Sequence, residues 1–139
     1  MASKEIPPYE EVEHTADLAL RVRGANLREL FTNAAKGMFA LISDERPALA
    51  ERHTVSLESL DTEALLVDWL NELLYLAETQ GQILGDFRLR ELTPARLEAE
   101  VWGARAGNIK KVIKAATFSG LAIQEIGQGG YEVTIVFDV

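Results

Sequence analysis

The stretch Leu65-Leu66-Val67-Asp68-Trp69-Leu70-Asn71-Glu72-Leu73-Leu74-Tyr75 carries the strongest helical pattern in the chain. Leu65, Leu66, Trp69, Leu70, Leu73, Leu74 and Ala77 recur at i, i+3 and i+4, which is one apolar stripe at the period of an α-helix. Asp61 stands where an N-cap belongs and Gly81 where the helix should stop. Upstream, Leu27, Leu30, Phe31, Ala34, Ala35, Met38 and Phe39 form a second stripe. Asn26 and Glu29 stand three residues apart at its start, as in a capping box. Gly37 weakens this helix locally and leaves room for a close neighbour.

Around these helices the period changes to two. Leu18, Leu20 and Val22 alternate with Ala19, Arg21 and Arg23, and Gly24 ends the run. Tyr9 to His14 reads as extended. Ser43 to Arg52 is polar, contains Pro47 and reads as a loop, with a strand expected around Val55 and Leu57. Phe87-Leu89 and Leu97-Ala99-Val101, joined through Thr93-Pro94-Ala95, predict a hairpin. Trp102 falls out of phase with the inward residues of its strand, so a contact surface and a second covered face are both open to it. Gly103 to Gly107 is a flexible link. Lys111 to Phe118 is β-rich, and Leu121 to Gln124 reads as its continuation. After the turn at Gly127-Gln128-Gly129-Gly130, Tyr131, Val133, Ile135 and Phe137 alternate with Glu132, Thr134, Val136 and Asp138 in a last strand. Helices and strands in this order, with short connections late in the chain, predict an α+β fold: a mostly antiparallel sheet packed with two amphipathic helices, in a single domain. Residues 1–8 read as a flexible N-terminal arm and 9–139 as the domain.

The 139 residues can bury about two-thirds of their unfolded surface, enough for an independent core. An apolar fraction of 47% argues against disorder. The absence of cysteine removes disulfides, thiol catalysis and cysteine zinc sites together. A net charge of −8 argues against direct nucleic-acid binding, which needs a basic field. No apolar run approaches the length that spans a bilayer, and no signal-like stretch precedes Pro7 and Pro8, so a cytoplasmic location away from membranes is expected.

Phosphate-loop, dinucleotide-binding, nucleophile-elbow and HExxH motifs are missing, and the only histidines are His14 and His53. Composition and spacing do not make this chain an enzyme. Two places invite chemistry: Glu13-His14-Thr15-Ala16-Asp17, just before an amphipathic strand, and the close of the last strand at Asp138-Val139. If Asp17 meets that end, carboxylates converge and a hard cation would neutralise them. Solvated acids at strand ends are the other reading of the same residues. His14 can equally satisfy a backbone group, and Lys110, Lys111 and Lys114 form a basic patch suited to a phosphate or to open solvent.

Taken together, five segments resemble the archease family. They are Glu13-His14-Thr15-Ala16-Asp17; Leu27-Arg28-Glu29-Leu30-Phe31 with Ala34-Ala35 and Gly37-Met38; Leu65 to Tyr75 as quoted; Ile113-Lys114-Ala115-Ala116-Thr117-Phe118; and Val136-Phe137-Asp138-Val139. They keep their order from about residue 9 to the last residue. The resemblance implies an accessory protein, not itself a ligase. It would activate an RtcB-type RNA ligase of tRNA splicing and RNA repair by promoting ligase guanylylation and multiple turnover. It also implies a divalent metal, Ca²⁺ first and Mg²⁺ second, held by Asp17, Asp138 and Val139, with His14 and Lys114 as partner contacts. The alternative is a chaperone-like protein-binding module with no ligase partner. Many members read Thr-Tyr-His where this chain has Thr117-Phe118-Ser119, which removes a hydroxyl and an imidazole from that place.

Overall fold

The computed structural model describes residues 6–12, 18–46, 48, 50–127 and 129–139. Two helices and eight strands follow in the order β1 (Tyr9–Val12), β2 (Leu18–Gly24), α1 (Leu27–Ile42), β3 (Glu51–Glu58), α2 (Thr62–Gln80), β4 (Gln82–Leu92), β5 (Arg96–Arg105), β6 (Ala115–Thr117), β7 (Gln124–Ile126) and β8 (Gly130–Asp138). All pairings are antiparallel, and the α+β architecture is the one the patterning predicts.

Both helices start as their sequences specify. The Asn26 side chain accepts the Glu29 N–H at 2.9 Å, and the Glu29 carboxylate accepts the Ala25 N–H at 3.2 Å. Asp61 accepts the Ala64 N–H at 2.8 Å. Each cap satisfies an N–H that the helix leaves without a partner. Gly81 closes α2 at φ 63°, a left-handed conformation that costs a residue without Cβ little. Gly37 has a different reason to be glycine: a Cβ there would lie 2.7 Å from Leu20 Cδ2 and 2.8 Å from the Tyr9 ring, so β1 and β2 lie directly against α1.

The strands form two sheets rather than one. A five-stranded sheet has the order β1-β2-β8-β6, with β7 also on β8. A three-stranded sheet has the order β3-β5-β4. The reason lies in the 106–114 link, which leaves β5 and does not pair as a strand. Its Lys110 and Lys111 N–H groups both donate to the Ile42 carbonyl at the end of α1, at 2.7 and 3.2 Å. The link therefore ends one sheet and carries the chain to the other. Pairing in the expected β-rich run from Lys111 shrinks accordingly to Ala115–Thr117. The expected continuation from Leu121 is likewise replaced by a turn, with Leu121 N–H on the Phe118 carbonyl at 3.0 Å, and β7 begins only at Gln124.

Both helices contact both sheets. Trp69, Phe31, Leu30, Leu65, Leu66, Leu70 and Leu73 are fully buried between them. Trp69 also donates its indole N–H to the Phe31 carbonyl at 3.0 Å, locking α2 to α1, and meets Phe87 of β4 edge to face with ring centres 6.2 Å apart. Trp102 is half-buried on the outer side of the three-stranded sheet, where the Arg88 guanidinium lies 5.0 Å above its ring. Pro7 and Pro8 are tied down by Arg23: its side chain donates to the Pro7 carbonyl at 3.2 Å and its N–H to the Pro8 carbonyl at 2.8 Å. No helix among the described residues is long and apolar enough to cross a membrane.

Candidate functional site

The alternation of β8 buries Val133, Ile135 and Phe137, so the strand is held inside the sheet. β2 lies on one side in the register Leu18↔Phe137 to Gly24↔Tyr131. β6 lies on the other, with Ala115↔Asp138, Ala116↔Phe137 and Thr117↔Val136. Lys114 extends that ladder by donating its N–H to the Asp138 carbonyl at 2.8 Å. The consequence is a fixed main chain at Asp138 with an exposed side chain, followed by Val139, 46% exposed.

β6 has only three residues, and its outer side is sealed by a side chain rather than a strand. Asn71 of α2 donates its amide to the Ala116 carbonyl at 3.1 Å and accepts the Ala116 N–H at 2.8 Å. This two-way bond copies a strand pairing and ties the core helix to the edge that carries Lys114. Thr117 adds a hydroxyl bond to the Val136 carbonyl at 2.9 Å. Phe118 is 58% exposed, and Ser119 is exposed beside it.

The structure thus brings together Asp138, Val139 and Lys114. Asp17 and His14 lie outside the described residues. Leu18, the residue bonded to Asp17, is the last described partner of β8 on that side, opposite Phe137. Among the described residues no three acidic or histidine side chains cluster as a metal site. Asp138 and Val139 supply only oxygen donors, the chemistry that Ca²⁺ and Mg²⁺ accept and soft metals do not. Two residues cannot supply the six to eight oxygens that Ca²⁺ takes, so a bound ion would need further protein or water oxygens.

The lysines divide. Lys110 donates to Asp44 at 2.8 Å, and that contact holds the Asp44 carboxyl below its ordinary value. Lys111 and Lys114 are exposed and form no ion pair with a described residue. His53 belongs to a separate cluster, its Nε2 2.7 Å from Gln82 Oε1, whose amide donates to Glu51 at 2.6 Å. Sequence reading missed the role of Asn71. The signal was an amide inside a leucine-rich helix, next to the buried Leu70 and two positions before the buried Leu73.

The Archease protein family (MTH1598/TM1083) matches residues 9–139. The archease protein of Methanosarcina mazei is 34% identical over 140 residues, covering 94% of this chain and 95% of the relative. That of Thermococcus gammatolerans is 34% identical over 139 residues, covering 94% and 98%. The solution structure of protein 1598 from Methanobacterium thermoautotrophicum superposes with a TM-score of 0.76 at 27% identity, over 95% of this chain and 99% of that one. A crystal structure from Thermotoga maritima, described as an archease and possible chaperone, shares the fold over the whole of both chains with a TM-score of 0.66 at 21% identity. Matched along nearly its whole length in sequence and in fold, the chain belongs to the archease family.

Proposed function

We propose that this protein is an accessory factor that activates an RtcB-type RNA ligase, promoting guanylylation of the ligase and its multiple turnover, without catalysing ligation itself. The observation that carries this reading is family membership across residues 9–139, together with a β8 end that keeps Asp138, Val139 and Lys114 on one exposed edge. Asp17, Asp138 and Val139 would hold a divalent cation, Ca²⁺ or Mg²⁺. Such a cation supplies positive charge for the phosphoryl oxygens of a nucleotidyl transfer.

The chain's own residues do the positioning. The β6–β8 ladder and the Asn71 clamp fix the backbone from which Lys114 projects, so only its flexible side chain has to be ordered when its ammonium meets a partner or its phosphates. His14 is a second partner contact in this reading. The net charge of −8 suits a protein that reaches RNA ends only through a ligase.

Multiple-turnover RNA ligation by the host's RtcB-type ligase, with and without this protein, tests the proposal. Stimulation by the wild type and none by Asp17→Ala or Asp138→Ala is the expected result. Equal stimulation by both variants would remove the metal edge from the mechanism. No stimulation of a competent ligase would favour a chaperone-like module, a reading that draws on the description of the Thermotoga relative as a possible chaperone.

A further inference from the structure

A groove of about 700 Å³ runs between the C-terminal half of α2 and the 106–114 link. Tyr75 and Glu78 form one wall; Ile109, Lys111, Val112 and Lys114 form the other. Tyr75, Ile109 and Val112 are 61%, 44% and 70% exposed. Single exposed apolar residues are ordinary, but three around one concavity mark a contact surface.

The link also offers free main chain. The N–H groups of Lys110, Lys111 and Lys114 are used by Ile42 and Asp138. Those of Ile109 and Val112, and the carbonyls from Lys110 to Val112, bond to no described residue. These free groups are available to hydrogen-bond the main chain of an incoming segment. Lys111 and Lys114 place positive charge on this wall of an otherwise acidic protein, and among the described residues Glu78 is the one acidic residue lining the groove.

We infer that the groove docks an extended segment of a partner polypeptide in which acidic residues alternate with apolar ones. The apolar side chains fill the space between Tyr75 and Val112. The acidic ones face Lys111 and Lys114, and the main chain pairs with the link. Lys114 is shared with the proposed ligase contact, but Tyr75, Lys111 and Val112 are not, and neither the Asp17–Asp138–Val139 set nor a metal takes part; the test therefore reads Lys111 and Val112, so that its failure is distinguishable from failure of the ligase reading.

The test uses the full chain and a fluorescein-labelled short peptide alternating aspartate or glutamate with leucine or valine, followed by anisotropy. A counterpart with lysine for every acid is the control. Saturable binding of the acidic peptide is expected. Val112→Asp should weaken it at least about tenfold, and Lys111→Glu about fivefold with a flatter salt dependence. Both side chains are exposed, so the fold is not at risk, and circular dichroism of each variant confirms it. Absence of saturable binding, equal binding of the lysine peptide, or indifference to Val112→Asp would overturn the inference. Binding of 1-anilinonaphthalene-8-sulfonate without binding of the peptide would also overturn it, reassigning the groove to small amphiphilic anions.

Discussion

The outer face of the three-stranded sheet and the C-terminal edge of the five-stranded sheet both carry charge, and they use it in opposite ways. On the outer face, charges are paired, most of them across strands. Glu100 takes Arg52 at 3.0 Å and Arg90 at 2.5 Å, and Arg96 reaches Glu98 at 2.9 Å and Glu58 at 3.1 Å. At the edge, the Asp138 carboxylate and the Lys114 ammonium meet no described side chain, although the main chain beneath them is tied into the β6–β8 ladder by the Lys114 N–H on the Asp138 carbonyl. Charges that already have partners serve the sheet. Charges held out on a rigid backbone, with no partner among the described residues, remain available to something else.

The sharpest way to break this contrast is to remove a carboxylate from each region. Asp138→Ala should abolish stimulation of the ligase and leave the melting temperature nearly unchanged, because its side chain is exposed and only its backbone is in the ladder. A large fall in Tm would make the edge structural and dissolve the contrast.

Asn71→Leu addresses the support beneath the edge. It leaves the buried Ala116 N–H and carbonyl without partners, at a cost of about 2 kcal/mol in chemical unfolding. Amide exchange at Ala116 should quicken, and ligase stimulation should fall with it. Unchanged exchange at Ala116 would mean that the clamp is dispensable.

On the outer face, Glu100→Gln should lower Tm less than Asn71→Leu and leave ligase stimulation intact, since exposed ion pairs contribute little. The smallest effect is a pH dependence. Bonds from Ser56 and then Arg96 hold the Glu98 carboxyl below its ordinary value, and a bond from Arg90 does the same for Glu100. The folded state thus binds these protons more weakly than the unfolded chain. Their contribution is complete above the ordinary value of 4.5 and is lost as pH falls through the lower folded values. Urea unfolding between pH 6 and pH 3 should show a shallower acid loss in Glu100→Gln than in the wild type; equal slopes would contradict it.

Much of the architecture was legible because it is written locally. The stripes of α1 and α2, the caps at Asn26 and Asp61, the stop at Gly81 and the alternation of β8 depend on neighbours within a few positions. The division into two sheets was not legible. It turns on Lys110 and Lys111 bonding to Ile42 of α1, distant in sequence, which no local period reports. At the site, Asp138 and Val139 were readable as the end of a buried strand. The bond from Lys114 to Asp138 and the clamp by Asn71 were not, because both cross between elements.

The place of β8 in the order of synthesis has a consequence for how the molecule is made. Every strand it joins is translated before it, and β2 waits longest: Arg23 and its ion-pair partner Glu132 are 109 positions apart. Until β8 leaves the ribosome, the inner edges of β2 and β6 have no partner. The three-stranded sheet, with β3, β4 and β5 already emerged, can close around α2 first. The edge that carries Asp138 therefore forms after every other described element, and a nascent chain interrupted before Gly130 presents two helices and a complete small sheet without that edge.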